Sequence, residues 1–562
     1  MNEKMTDARP ILARWEGMKA KRSTWDAYWQ RIADYVMPRK ANITRQNATP
    51  GDSVADNLFD TTAVYANQTL ANGMLAYMTP ADGQWFSFSP PPEKEGDDEV
   101  AQWLQRCTEI TQRNLANSNF YSEIHELYFD DGAFGTGTLI ALPGRNFPLN
   151  FQCLPAGSYC LAENEERLVD TCFREFRLTA EQAAEKFGEE RLSEKMRTDL
   201  AKIRATGSGS EREYTFLHAV YPRGAQERES GKLDGRNKPY ASVYLEPECR
   251  HVISEGGFDE KPFFATRHAR WGSEVWGISP SWMALPEARQ LNHLVKHMDA
   301  LAEVKAWPRI LAPGDMEGEM DLDAGGVTFF DPSSPNSVPR EWATAGDYNI
   351  GLEREKRKQE AIERAYHVPL FNMFSQIERQ MTAREVAERS AEKLNQFTPA
   401  FTRKTTELLT PLLRCVFNLQ LRGGMLPPPP EGMIARDATG EAFLAQPEIA
   451  YNSRVALAIR AQANIAFSRS MELSAALAQA RPDVLDHYDV DRIARDGARN
   501  DGLPADWLLP MDKVEEIRAG RAQAQAQAQQ QQALMAAADA AGKAGSVKPD
   551  SVVAQMLAGG AQ

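Results

Sequence analysis

Three short stretches carry side chains of types that could do chemistry, and each departs from the pattern that chemistry requires. His293 and His297 stand four residues apart in a run of helical periodicity, which puts two imidazoles on one helix face. A zinc protease of that kind needs a glutamate directly after the first histidine as general base. Here that residue is Leu294 and no third ligand is evident, so the pair reads as surface or interface histidines. Gly132-Ala133-Phe134-Gly135-Thr136-Gly137-Thr138 looks like a phosphate loop. It lies between a helix and a strand, the reverse of the order that aims amides at phosphate, and it reads as a tight turn. Asp489-Val490-Asp491 with Asp496-Gly497 has neither the spacing nor the terminal glutamate of a calcium loop, and Asp489 is read as a helix cap. No Gly-x-Ser-x-Gly is present, so no catalytic residue, metal or cofactor is expected.

Composition sets the wider bounds. The chain has 562 residues, 42% hydrophobic and 25% charged, in the range of a soluble globular protein with several parts. Its net charge is −14. Sequence-specific DNA binders normally carry a basic surface, so that role is disfavoured. Acidic walls still suit a protein past which a duplex must slide without sticking. The six cysteines, at 107, 153, 160, 172, 249 and 415, include no Cys-x-x-Cys pair and read as reduced packing residues. No apolar signal segment opens the chain, and no run reaches the roughly 18 apolar residues that span a bilayer. The expected setting is a cytoplasm.

The elements that must position these residues change in texture along the chain. Helices are expected at 8–38, 60–78, 97–117 and 120–134, with a short strand at Trp85-Phe86-Ser87-Phe88-Ser89. Strands follow at 138–142, 151–154, 168–173, 213–222, 240–254 and 262–270, with one helix at 179–205 and a flexible joint at 207–210. The first 275 residues are therefore α+β, and beyond Gly277 the chain becomes predominantly helical.

Residues 276–390 hold the most telling arrangement. Ser279-Pro280 is a helix-start signature, Pro286 must start or kink the main run, and Pro308 stops it. Leu291, Leu294, Val295, Met298, Leu301 and Ala302 form a modest stripe on a rod of roughly 33 Å. An insert follows, with strand-like Arg309-Ile310-Leu311 and Val327-Thr328-Phe329-Phe330. The second rod, about 349–366, is almost entirely charged, with Glu353/Arg357 and Glu360/Arg364 at favourable i,i+4 spacing. A helix polar on all sides needs neighbours from elsewhere. Assembly is thus the first function to test. Residues 382–422 read as a long helix bent at Pro399 and Pro411, helices return at 453–480 and 489–499, and an Ala/Gln tract closes the chain.

Five collinear segments resemble the head-to-tail connector, or portal, proteins of short-tailed double-stranded-DNA phages. They are the Trp25/Tyr28/Trp29/Ile32 helix ending in Tyr35-Val36-Met37-Pro38; Leu58-Phe59-Asp60-Thr61-Thr62 running to Trp85-Phe86; Trp276-Gly277-Ile278-Ser279-Pro280 through Asn292; Thr382-Ala383-Arg384-Glu385-Val386; and Tyr488-Asp489-Val490-Asp491 with Gly502-Leu503-Pro504. The family commonly has threonine where Arg384 stands. The resemblance implies the portal fold, a ring of about twelve copies around a DNA channel. It assigns 1–275 and 424–452 to an outer wing, 276–307 and 349–367 to stem helices, and 308–348 to a clip. It further assigns 368–380 to a channel loop, 381–423 to a long kinked helix, 453–511 to a helical crown and 512–562 to a tail or barrel.

By the same resemblance, Phe371, Asn372, Met373, Phe374, Ser375, Gln376 and Arg379 belong to the channel loop. Glu353, Arg354, Lys356, Arg357, Lys358 and Glu360 are stem or lumen charges. Arg309, Asp315, Glu317, Glu319, Asp321 and Asp323 lie on the clip, where a terminase motor and later tail adaptor proteins dock. Capsid and scaffolding proteins are further implied partners, with assembly in a bacterial cytoplasm and residence at a capsid vertex. The rival readings are another virion structural protein, a capsid or tail-tube subunit, or a nuclease or hydrolase in the α+β half.

Overall fold

Helix α1 (Ala8–Val36) starts where Asp7 accepts a hydrogen bond from the Arg9 amide at 3.0 Å. It buries Ile11, Leu12, Trp29, Ile32 and Val36, the stripe that the sequence spacing predicts. In this computed structural model, the described residues are 6–40, 42–44, 57–94, 97–144, 149–224, 228, 234–307, 310–311, 340–341, 348–377, 396–436, 442–459, isolated positions between 471 and 509, and 511–545. After α1 come α2 (Thr62–Met78), β1 (Phe86–Ser89), α3 (Asp98–Asn117) and α4 (Phe120–Phe134). The architecture is α+β, mostly helical with several small sheets, as expected.

Gly135 ends α4 in the left-handed region (φ 80°), and β2 (Thr136–Pro143) begins at the next residue. The glycine-rich stretch is therefore the helix-to-strand turn its order implies. A Cβ on Gly135 would stand 2.5 Å from the Gly277 carbonyl oxygen, and one on Gly277 would meet the Gly135 carbonyl. Paired glycines let the segment before the first rod lie directly on this turn.

Two antiparallel sheets follow. One has the order β3-β2-β9, from β3 (Leu149–Leu154) and β9 (Phe263–Arg267). The other is a meander of β4 (Tyr159–Glu163), β5 (Val169–Thr179), β6 (Glu213–Pro222), β7 (Tyr240–Glu246) and β8 (His251–Phe258). Three details differ from the sequence expectation. Strand β4 was not expected. The run 240–254 folds back as a hairpin. The expected helix 179–205 is two, α5 (Ala180–Phe187) and α6 (Glu194–Thr206), because Gly188 takes φ 89° between them. A Thr179/Gln182 capping box starts the first.

The helical half holds α7 (Pro280–Ala306), the short pair β10 (Ile310–Leu311) and β11 (Arg340–Glu341), α8 (Tyr348–Ala365) and α9 (Val368–Ile377). Then come α10 (396–404), a π-turn at Thr405–Leu409, and α11 (Thr410–Arg422). Pro411 offers no N–H to the Glu407 carbonyl and crowds it, which accounts for the expected bend taking the form of a widened turn. Strands β12 (Ile434–Arg436), β13 (Ala442–Leu444) and β14 (Glu448–Tyr451) follow. Strand β14 pairs with β1, Phe86 opposite Tyr451, so the chain returns to its first half. Helix α12 (Met511–Gly545) carries the Ala/Gln tract, and Arg518 grips Asp491 with both terminal nitrogens, at 2.5 and 2.6 Å.

A buried charge network fastens the two halves. Lys404 Nζ lies 2.7 Å from Asp131 Oδ2, with both side chains fully buried, and His268 Nδ1 stands 3.1 Å from the same oxygen. The π-turn aims Glu407 at β9, where its carboxylate accepts from the Arg267 amide at 3.0 Å and from the Arg267 guanidinium at 2.8 Å. Arg267 is also ion-paired with Glu163. Lys404→Met leaves the buried Asp131 carboxylate with only the His268 imidazole beside it, and should lower unfolding free energy by roughly 3–5 kcal/mol in urea titrations. Lys404→Met with Asp131→Asn should recover most of that loss.

Candidate functional site

The paired rods are the candidate site. Helix α7 starts at Ser279, whose hydroxyl accepts from the Trp282 amide at 3.2 Å, and Pro286 lies inside the helix, neither starting it nor ending it. Helix α8 runs antiparallel to it. Gly351 packs against Met298, Lys358 reaches Glu287 at 2.8 Å, and the Tyr366 hydroxyl shares a 2.7 Å hydrogen bond with Ser281. The Ser281 hydroxyl in turn donates to the Gly132 carbonyl at 3.0 Å, tying the base of the rods to α4. Asn292 clamps the chain before α2, accepting from the Phe59 and Asp60 amides and donating to the Asn57 carbonyl.

Beyond Met298 no residue of α7 is buried, and α8 buries only Gly351 and Ile362. Of the expected stripe, Leu291 and Met298 are buried, while Leu294, Val295, Leu301 and Ala302 stay half-exposed. Met283, Trp307, Ile350 and Leu352 are 76%, 79%, 58% and 44% exposed. Trp282, at the base of the first rod, is 38% exposed as well, so apolar side chains stay uncovered at several points along the pair.

Among the expected stem charges, Glu353 pairs with Arg357 at 2.6 Å, whereas Glu360 and Arg364 do not meet. Lys356 and Glu360 are exposed. Arg354 and Lys358 line a groove of about 810 Å³ between the rods and the Asn57–Phe59 segment, together with Arg289, His293, Lys296 and His297. The two histidine Nε2 atoms are 3.1 Å apart. Four neighbouring cations oppose a metal ion there, and among the described residues no group of three or more His, Cys, Asp or Glu could hold one. Sequence reasoning noted the histidines, Arg354 and Lys358 separately. The i,i+4 spacing of 289, 293 and 297 signals one basic stripe, but only the antiparallel register of the rods joins it to α8.

The expected loop at 368–380 is helical over Val368–Ile377. Phe371 is buried, stacked on Tyr77 at 6.3 Å and edge-on to Phe397 at 5.6 Å, with its ring directly over Gly73. The apolar face of Val368, Leu370 and Phe371 finds cover on α2, which favours helix over loop. Asn372 is exposed and Met373 half-buried. The backbone of Phe374, Ser375 and Gln376 continues α9. Arg379, Arg384 and the Thr382–Val386 segment lie outside the described residues, as do Arg309, Asp315, Glu317, Glu319, Asp321, Asp323 and the strand expected at 327–330. Much of 453–511 lies outside them too.

His367 turns the chain from α8 into α9 with φ 56°, uncommon outside glycine. Burial, and then the positive surroundings of His268 and Lys404, push its imidazole down to about 4. His268 is lowered likewise, first by burial and then by Lys404.

The fold is an α+β body carrying an antiparallel helix pair with several apolar side chains left uncovered. The chain belongs to the bacteriophage head to tail connecting protein family, whose pattern matches residues 8–509. It is 32% identical over 551 residues to the probable portal protein of Bordetella phage BPP-1, covering 96% of each chain. It is 29% identical over 529 residues to the portal protein of Salmonella phage epsilon15, covering 92% of each. A solved chain from the neck of an empty gene transfer agent particle aligns with 77% of this chain and 94% of its own at 14% identity and TM-score 0.35. The protein is thus a structural virion component, a connector and not an enzyme. No helix of the described residues is long and apolar enough to cross a membrane.

The unfolded imidazole of His367 titrates near 6.5 and the folded one near 4, so acid protonates the unfolded chain first. Its contribution is complete above pH ~6.5 and is lost as pH falls toward ~4, amounting to at most about 3 kcal/mol. Chemical denaturation at the two ends of that window should show a smaller acid loss in His367→Asn, a residue that tolerates the left-handed backbone.

Proposed function

We propose that this chain is one subunit of a closed ring, of about twelve copies, that conducts double-stranded DNA during genome packaging and ejection. The observation that carries the reading is the rod pair, whose second helix buries only Gly351 and Ile362 while Met283, Trp307, Ile350 and Leu352 stay exposed on the two rods. Copies arranged head to tail around a closing rotation bury such a surface without any other protein. The relatives' description as portal proteins supports a site for that ring at a capsid vertex.

In this reading 1–275 and 424–452 form the wing, an assignment supported by the β1–β14 pairing, and α7 and α8 form the stem. Residues 308–348 form the clip, on which a terminase motor and then tail adaptor proteins dock. Capsid and scaffolding proteins meet the outer wing. DNA passes without sequence readout, and an overall charge of −14 limits sticking to the phosphates. Helix α9 braces the base of the channel segment, and its buried Phe371 anchors that segment and does not narrow the bore.

Negative-stain images of the purified chain should contain rings with a central hole, whereas a persistent monomer at micromolar concentration contradicts the ring. Deleting 308–348 should leave soluble subunits that no longer retain the terminase, and undiminished retention would remove the clip assignment.

A further inference from the structure

A chain of net charge −14 repels a polyanion over most of its surface, and the groove beside the rods is an exception. Arg289, Lys296, Arg354 and Lys358 line it together with His293 and His297, and no carboxylate stands among its described lining residues. Lys358 is bound to Glu287 at 2.8 Å, and Lys296 rests over the Phe59 ring, 5.0 Å from its centroid. Arg289 and Arg354 are exposed and have no ion-pair partner among the described residues.

These cations are spread along a line. Arg289 and Lys296 lie two turns apart on one side of α7, about 10 Å of helix rise, so the groove offers positive charge over a length and not at one point. That suits a strand of repeating charge better than a single small anion. Arg354 faces the same space from α8, and a guanidinium fork can give two parallel hydrogen bonds to the oxygens of one phosphate. Asp299 and Glu303 lie on the same side of α7 as Lys296, one and two turns beyond it. They are not among the lining residues, and their charge closes that end of the groove to an anion.

We propose that this groove is a phosphate-binding site for the backbone of double-stranded DNA. The choice of DNA rests on the conduit reading above, in which a duplex runs past the subunit, while the groove itself is complete within one chain. Phosphate contacts carry no base information, so the site is indifferent to sequence, and each one releases counterions, so its grip weakens with salt.

Fluorescence anisotropy of the full-length chain with short labelled duplexes of two unrelated sequences, over a salt series, tests this. Wild type should bind both duplexes alike. Arg289→Gln with Arg354→Gln should weaken binding about tenfold or more at low salt and reduce the slope of log affinity against log salt by about 2. Arg106→Gln with Arg113→Gln removes the same charge from exposed positions of α3 and should stay near wild type. All four side chains are exposed, and circular dichroism melts confirm that both variants fold. An equal loss in the α3 variant would mean diffuse attraction and overturn the groove. Poly-glutamate held by wild type as tightly as the duplex, and released by the groove variant, would make the occupant an acidic protein segment and overturn the assignment to DNA. Rings in negative stain without groove-dependent duplex binding would overturn the site and leave the conduit intact.

Discussion

Two long helices held side by side by a narrow seam set the constraint on which the rest of this structure depends. Met298 against Gly351, Lys358 against Glu287 and Tyr366 against Ser281 are enough to fix their register. They are not enough to cover the helices. A helix in water draws most of its stability from an apolar face packed on something else, and α8 offers only Gly351 and Ile362 to its own chain. In the proposed ring, the remaining cover comes from neighbouring copies of the chain.

Rods with so little cover of their own need firm roots in the body. The buried ion pairs supply them where three parts of the chain meet: α4 through Asp131, the end of β9 and the residue after it through Arg267 and His268, and the segment after the rods through Lys404 and Glu407. Such pairs add little net stability over apolar packing, but they tolerate very few alternative arrangements. The π-turn before Pro411 belongs to the same device, since it widens the helix where Lys404 and Glu407 face different neighbours. His367 and the buried Phe371 then fix the angle at which the second rod re-enters the core.

Much of this was legible in the sequence because the signals were local. Helix starts at Ala8, Asp98 and Pro280, the strand at Phe86 and the turn at Gly135 follow from caps, alternation and glycine placement. The break at Gly188 is hidden in the sequence because a helical stripe runs on both sides of one residue with positive φ. Helix α9 reads as a loop in the sequence because its cover, α2, lies some 300 residues earlier in the chain. The basic groove escaped for the same reason. Its two halves are ordinary i,i+4 charge pairs until the antiparallel register brings them together.

The central claim is that copies of this chain cover the rods. Hydroxyl-radical footprinting with mass spectrometry reads it directly, because Met283 and Trp307 are reactive side chains at opposite ends of α7 and are 76% and 79% exposed in the subunit. Comparing dilute subunits with the concentrated, assembled protein, both residues should become several-fold less reactive on assembly, while exposed Trp271 of the sheet region serves as the internal reference. Equal reactivity of Met283 and Trp307 in the two states would place the subunit contact elsewhere and contradict the account.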